Sequence, residues 1–262
     1  MTLNKAPTMD TQQNSSAAFL NRKDGSTIAY HLSSGKSPGV VFLTGFNSDM
    51  TGSKAIALES YCQQRSQAFL RFDYTGHGQS SGTFEDGCIG QWADDAVYAI
   101  DQLTKGPQLL VGSSMGGWIM LLVALKLTER IAGLVGIAAA PDFTEDLMWE
   151  GLSGAQRQDM AQNGYVDLPN CYDDQEPYRI THKLIKDGKK QLLLTSPIVL
   201  DMPIRLIQGV KDEDVPWSTA GRIMEQVTSD DVEVTYVKSG DHRLSEPYDL
   251  ARLTRTLDGL LD

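Results

Sequence analysis

A serine, an aspartate and a histidine follow apolar segments of this chain in an order that suits nucleophilic catalysis. Ser114 lies at the centre of the sequence GSSMG, Asp212 follows a later apolar segment, and His242 follows the next one. A serine hydroxyl is a weak nucleophile at neutral pH, so it needs a base, and the base needs an acid that orients it. We therefore predict that Ser114 attacks a carbonyl carbon, that His242 accepts its proton and that Asp212 orients His242.

The residues around Ser114 predict a strand, a tight turn and a buried helix. The β-forming run LLV leads into GSSMG, and residues 119–127 have the composition of a buried helix. In this context a sharp turn lifts a serine hydroxyl above a parallel sheet. The G-x-S-x-G pattern also occurs at residues 78–82, but the following TFEDGC has no helical periodicity. We therefore interpret Ser80 as a loop residue.

Three aspartates are candidates for the acid that orients the base, whereas one histidine is a candidate for the base itself. His242 is the only one of the four histidines that lies at the end of a predicted strand after Ser114. Asp212 follows a predicted strand by a few residues, which favours it as the acid. Asp214 directly precedes a Val-Pro turn, and Asp142 follows an earlier predicted strand, so both remain alternatives.

Two backbone N–H groups must point at the oxygen on which negative charge develops. Met115 directly follows the nucleophile, and Phe46 lies in the loop after the first buried strand. We predict that the N–H groups of Phe46 and Met115 form this oxyanion hole. The alternative for Phe46 is a packed turn residue.

Predicted strands and helices alternate along the chain, a pattern typical of an α/β protein with a mostly parallel sheet covered on both faces. About eight strands are predicted, at residues 17–20, 28–32, 39–43, 68–72, 109–112, 131–140, 203–207 and 232–237. The predicted helices span residues 53–64, 89–103, 119–127, 218–227 and 247–261.

The alternation breaks between residues 142 and 196, where glycines and prolines interrupt short mixed stretches. An insertion of this size between core strands predicts a cap over the active site, the alternative being surface helices with a small core of their own. Residues 1–16 are polar and predict a disordered tail. We therefore expect a single domain over residues 17–262.

Charge and composition exclude several classes of protein. The formal net charge of −11 argues against a nucleic-acid partner, and no apolar run approaches the length of a membrane span. The three cysteines are far apart and lack metal-ligand spacing, which favours reduced thiols in the cytoplasm. The first 16 residues contain a single lysine and one aspartate, so they do not read as a mitochondrial presequence.

With these residues placed, the chain resembles the α/β-hydrolase superfamily over essentially its full folded length. The segments GFNSDMTGSKA, FDYTGHGQSSG, GSSMGGW, SPIVLDMPIRLIQGVKDEDVPW and SGDHR are similar to those of a mitochondrial acyl-protein thioesterase branch. The resemblance implies the α/β-hydrolase fold and a triad of Ser114, Asp212 and His242. It also implies cleavage of ester or thioester bonds in small-molecule, lipid-acyl or acylated-protein substrates. For the location of the protein in the cell, the resemblance gives the mitochondrion as an alternative to the cytoplasm.

Such a serine hydrolase needs no metal and no organic cofactor, because an acyl-enzyme on Ser114 carries the reaction. Other activities use the same triad on the same fold, since fold does not fix function. A carbon–carbon bond hydrolase and a cofactor-free haloperoxidase are the enzymatic alternatives, and a catalytically inactive binding protein is the third. Epoxide hydrolases and dehalogenases are disfavoured because they carry aspartate at the position of Ser114.

Overall fold

The computed structural model of the protein describes residues 16–168 and 177–262, and eight of its strands form one central sheet. The strands are β1 (Ala18–Asn21), β2 (Thr27–Ser33), β3 (Lys36–Leu43), β4 (Gln67–Phe72), β5 (Gln108–Ser113), β6 (Ile131–Ile137), β7 (Tyr165–Leu168), β8 (Tyr178–Thr181), β9 (Ile204–Gly209) and β10 (Val232–Val237). The pair β7 and β8 forms a separate antiparallel hairpin.

The strand order of the central sheet is β1-β2-β4-β3-β5-β6-β9-β10. All neighbours from β4 to β10 pair in parallel, while β1 with β2 and β2 with β4 pair antiparallel. The predicted sheet of about eight mostly parallel strands is therefore confirmed. The carboxyl ends of β3, β5, β9 and β10 lie along one edge, which is where ligands bind in open α/β sheets.

Helices cover both faces of this sheet. They are α1 (Ser53–Arg65), α2 (Ile89–Leu103), α3 (Met115–Lys126), α4 (Gly154–Asn163), α5 (His182–Gly188), α6 (Ser218–Gln226) and α7 (Pro247–Leu261). Buried apolar side chains of α2, α3 and α6 form one core with the sheet, and those of α1 and α7 form a second core on the other face. Among the described helices, none combines the length and apolar character needed to span a bilayer.

Two element boundaries next to Ser114 differ from their prediction. Strand β6 ends at Ile137 rather than at residue 140, because Ala138 turns the chain with a φ of 45°. Helix α3 begins at Met115 rather than at residue 119. Its first turn contains Gly116 and Gly117, whose low helix propensity hides the start of the helix in the sequence.

The segment between β6 and β9 departs from the alternating pattern, as predicted. It contains a π-helical turn at Thr144–Trp149, followed by α4, the β7–β8 hairpin and α5. Asp142 accepts hydrogen bonds from the backbone N–H groups of Leu193 and Leu194, both at 2.8 Å, and so joins the two ends of the segment. The domain boundaries stay a prediction, and residues 1–15 and 169–176, including Cys171, lie outside the described residues.

Buried His77 packs among aromatic rings beside the site. Its ring centroid lies 5.4 Å from that of Tyr74, 5.1 Å from Phe84 and 5.0 Å from Trp92. Nδ1 is 3.4 Å from the Thr75 carbonyl oxygen, and Nε2 has no hydrogen-bond partner among the described residues. Burial in this apolar cluster lowers the pKa of His77 from 6.5 to about 4.

The low pKa of His77 predicts that acid destabilises the fold. The unfolded chain binds a proton at residue 77 near pH 6.5 and the folded chain only near pH 4. The free energy of unfolding should therefore fall as pH drops through that window, by at most about 1.4 kcal/mol per pH unit from this group. Urea unfolding across the window checks this, and His77→Phe should flatten the slope. An unchanged slope in that variant would contradict the assignment.

Candidate active site

Ser114 lies at the sharp turn between β5 and α3, as the sequence predicts. Its φ of 55° and ψ of −120° are strained for a side-chain-bearing residue, and its N–H donates to the Ile137 carbonyl at 2.9 Å. A Cβ at Gly112 would collide with the backbone of Gly116, and a Cβ at Gly116 would collide with the end of β3. The two flanking glycines are therefore needed so that the turn can pack tightly.

The structure brings Ser114, His242 and Asp212 together at the carboxyl edge of the sheet. His242 follows β10, and its Nε2 lies 3.0 Å from the Ser114 Oγ. Asp212 follows β9, and its Oδ2 lies 2.9 Å from the His242 Nδ1. The side chain of His242 is 16% exposed and that of Asp212 is fully buried. Such an unbroken hydrogen-bonded chain can transfer a proton from the hydroxyl to the imidazole.

The Asp212 carboxylate is held by four hydrogen bonds. Its Oδ1 accepts the N–H groups of Asp214 at 3.0 Å and Val215 at 2.8 Å. Its Oδ2 accepts from His242 and also from the Gln208 Nε2 at 2.9 Å. Sequence reasoning missed Gln208, although a glutamine in the apolar strand just before the acid was a usable signal.

The structure separates Asp212 from the other two candidate acids. Asp142 is buried and directs both carboxylate oxygens at the backbone of Leu193 and Leu194. Burial raises the pKa of Asp142 above its ordinary value, although these two hydrogen bonds oppose the shift. Asp214 lies in the turn beside Asp212, and its backbone N–H donates a hydrogen bond to the Asp212 carboxylate.

The second G-x-S-x-G copy makes structural contacts. The Ser80 Oγ accepts the Ala29 N–H at 2.8 Å and donates to the Asp73 carbonyl at 2.7 Å. These bonds fasten the loop after β4 to strand β2. The interpretation of Ser80 as a loop residue agrees with this placement.

Both predicted oxyanion donors lie next to Ser114. Met115 is the first residue of α3, so its N–H has no partner within the helix. The loop containing Phe46 passes the nucleophile closely, since a Cβ on Gly45 would lie 3.5 Å from the Ser114 Cβ. The Phe46 N–H makes no hydrogen bond within the described part of the chain. The Phe46 ring packs edge-on against Phe143 at 5.7 Å.

A cavity of about 590 Å³ opens above Ser114 and His242. Its apolar wall includes Phe46 and four side chains of the 142–196 segment, namely Phe143, Leu147, Met148 and Tyr178. Polar side chains, among them Lys54, also line the cavity. Burial lowers the pKa of Lys54 to about 8, and its Nζ donates to the Arg243 carbonyl at 2.5 Å. Lys54 thereby ties α1 to the loop that carries His242.

Asp212, Asp214 and His242 offer possible metal ligands within 4.8 Å of one another. Both ring nitrogens of His242 and both oxygens of Asp212 are already engaged in hydrogen bonds within the protein. This donor set therefore suits proton transfer better than metal coordination.

The sequence and the fold match those of known hydrolases. The family model described as the alpha/beta hydrolase fold matches residues 38–171. Human mitochondrial palmitoyl-protein thioesterase ABHD10 is 40% identical over 251 residues, covering 96% of this chain and 82% of the relative. The chain belongs to the α/β-hydrolase family. The predictions of the fold, the family and a hydrolase are therefore confirmed.

Solved structures of this α/β-hydrolase family agree over nearly the whole chain. Mouse α/β-hydrolase domain-containing protein 10 superposes with a TM-score of 0.88 at 38% identity, covering 95% of this chain and 99% of its own. A putative hydrolase from Agrobacterium vitis gives a TM-score of 0.89 at 36% identity, covering 94% and 98%.

Proposed function

We propose that this α/β-hydrolase cleaves acyl thioester and ester bonds through an acyl-enzyme, with Ser114 as nucleophile. The observation that carries the proposal is the hydrogen-bonded chain from Asp212 through His242 to the Ser114 Oγ at the base of the cavity. The names of the curated relatives, which are palmitoyl-protein thioesterases, support the same chemistry.

In the first half-reaction the Ser114 Oγ attacks the acyl carbonyl carbon while His242 Nε2 takes the hydroxyl proton. Asp212 keeps the His242 Nδ1 protonated and stabilises the imidazolium. The N–H groups of Phe46 and Met115 bind the oxyanion, each contributing on the order of 3 kcal/mol to transition-state stabilisation. His242 then protonates the departing thiolate or alkoxide, which leaves an ester on Ser114.

In the second half-reaction His242 takes a proton from water, and the resulting hydroxide attacks the ester carbonyl. The tetrahedral intermediate collapses, His242 returns the proton to the Ser114 Oγ, and the carboxylic acid departs. The enzyme thereby returns to its starting state. Carbon–carbon bond hydrolysis and haloperoxidase chemistry use the same residues, and substrate comparison separates them from this proposal.

We propose a long-chain acyl group as the preferred substrate because one wall of the cavity above Ser114 is apolar. Leu147 and Met148 on the π-helical turn and Tyr178 on β8 extend that wall beyond the sheet. Burying methylene groups against such side chains contributes about 0.8 kcal/mol each. The 142–196 segment thus acts as a cap that selects the acyl chain.

We propose the cytoplasm as the location, with the mitochondrion of the curated relatives as the alternative. Cys62 and Cys88 are buried free thiols, in agreement with a reducing compartment. Immunoblotting of fractionated cells would decide between the two.

We expect kcat/KM to rise with acyl length from acetyl to palmitoyl thioesters, and Met148→Trp to remove that rise. The larger side chain fills the apolar part of the cavity, so the palmitoyl substrate should lose at least about 10-fold in kcat/KM while acetyl hydrolysis is retained. The measurement is the steady-state kcat/KM of the wild type and of Met148→Trp on thioesters from acetyl to palmitoyl, on the matching esters and on a vinylogous diketone.

Met224→Trp is the matched control, because Met224 lies 45% exposed on α6 and does not line the cavity. Its acyl-length profile should equal that of the wild type. Preference for the diketone would replace the proposal by a carbon–carbon hydrolase. Equal rates on all chain lengths would remove the long-chain assignment.

A further inference from the structure

We propose that Gln208 is a positioning residue that orients Asp212 and sets the pH range in which His242 works. This inference rests on the proposed function of the triad. Gln208 lies in β9 with 1% of its surface exposed, and its Nε2 donates to the Asp212 Oδ2 at 2.9 Å. The same oxygen accepts from the His242 Nδ1 at 2.9 Å. One carboxylate oxygen is therefore shared by the imidazole and a buried amide.

The surroundings of Gln208 fix the orientation of its amide. Besides the Asp212 carboxylate, the carbonyl oxygens of Gly209 and Val215 lie 3.5 Å from Nε2. All three groups accept hydrogen bonds, so only the NH₂ group can face them. A flipped amide would direct its own oxygen at the buried carboxylate.

The oxygen atom of the Gln208 amide lacks a hydrogen-bond donor among the described residues. Its Oε1 is buried and makes no hydrogen bond within residues 16–168 and 177–262. Ile204 and Leu206, which share its face of β9 by strand alternation, are buried apolar residues. Burying an unpaired acceptor costs stability, and an aliphatic residue at this position would avoid that cost. A role of the Gln208–Asp212 hydrogen bond in the reaction would explain why the protein carries glutamine here despite this loss of stability.

The hydrogen bond from Gln208 has two consequences for the triad. It holds the Asp212 carboxylate in the plane that His242 requires, which favours proton transfer. It also disperses negative charge from Oδ2 and so weakens the attraction of that oxygen for the protonated imidazole. Without this donor the imidazolium would be more stable, and the enzyme would need a higher pH to regain its free base.

The test replaces Gln208 by methionine, which has a similar volume and no donor. In Gln208→Met we expect kcat to fall at least about 10-fold, because a hydrogen bond to a charged group is lost. KM should stay within about two-fold, since Gln208 does not line the cavity. The acid limb of the pH–rate profile should move at least about 0.3 pH unit higher. A merely structural role would not move that limb.

Gln108→Met is the matched control. Gln108 begins β5, is 2% exposed, and donates from Nε2 to the carbonyl oxygens of Lys105 and Gly106 at the opposite edge of the sheet. The same substitution there removes buried hydrogen bonds without touching the triad. Its pH–rate profile should equal that of the wild type, whatever the loss in Tm.

Gln208→Glu provides a second test if the methionine variant does not fold. A neutral glutamic acid can donate to Asp212, whereas its ionised form adds a charge beside it. This variant should keep activity at low pH and lose it at alkaline pH, where the wild type stays active. A wild-type profile and kcat in either variant, or an equal shift in Gln108→Met, overturns the proposal. That outcome leaves the Ser114 assignment intact, because Ser114→Ala tests the assignment separately.

Discussion

Ser114→Ala is expected to lower kcat by about a million-fold and to abolish covalent labelling by a fluorophosphonate. The variant lacks the hydroxyl oxygen that lies 3.0 Å from the His242 Nε2, so no acyl-enzyme can form. Residual hydrolysis should come from the oxyanion donors and binding alone. Active-site titration with the probe and burst kinetics with a p-nitrophenyl acyl ester provide the measurement.

The duplicated motif supplies a matched control for this experiment. Ser80→Ala removes the same atom from the second G-x-S-x-G sequence, where the hydroxyl bonds to the backbone of Ala29 and Asp73. This variant should lose stability but should still be labelled and turn over substrate. If Ser114→Ala kept wild-type turnover while Ser80→Ala lost it, the nucleophile would be misassigned. If the wild-type protein failed to react with the probe at all, the inactive binding protein would be the better description.

Asp212→Asn is expected to lower kcat by about 10,000-fold with little change in KM. An asparagine amide can donate to the His242 Nδ1, which places the imidazole proton on Nε2. That nitrogen then cannot accept the Ser114 proton, although the three side chains keep their positions. The pH–rate profile of kcat, together with a melting curve, separates this chemical loss from unfolding.

Asp214→Asn carries the same change two residues away and tests the alternative acid. Asp214 contributes its backbone N–H to the Asp212 Oδ1, and the substitution leaves that N–H in place. We therefore expect kcat to stay within about 10-fold of the wild type. A larger loss in Asp214→Asn than in Asp212→Asn would reverse the assignment of the acid.

The triad could be predicted from the sequence because each member follows an apolar strand that is easily recognised. In a parallel sheet these strand ends meet at one edge, so Ser114, Asp212 and His242 converge whatever the details of packing. The position of the loop proposed for the oxyanion hole was predictable for the same reason, since Phe46 follows β3. Pattern and connectivity were sufficient for these residues.

Other parts of the site depend on side-chain packing that no local pattern records. The hydrogen bond from Gln208 to Asp212 forms only when both side chains adopt suitable rotamers. The hydrogen bond from Lys54 to the Arg243 carbonyl joins residues that are 189 positions apart in the chain. The 142–196 segment has mixed composition, so its π-helical turn and hairpin had no clear periodicity. The start of α3 was hidden because the glycines required by the tight turn are poor helix formers.

The hydrogen bonds that Asp142 accepts from Leu193 and Leu194 bear on how the proposed substrate selectivity can evolve. The donor and acceptor residues are separated by 51 and 52 positions in the chain, yet one carboxylate holds them together at the rim of the sheet. The chain therefore leaves the scaffold and returns to it beside one carboxylate, an arrangement that tolerates insertion and exchange. We therefore expect that the segment between Asp142 and Leu193 can be replaced by a longer, shorter or unrelated insertion. Such a replacement would leave Ser114, Asp212 and His242 in their positions.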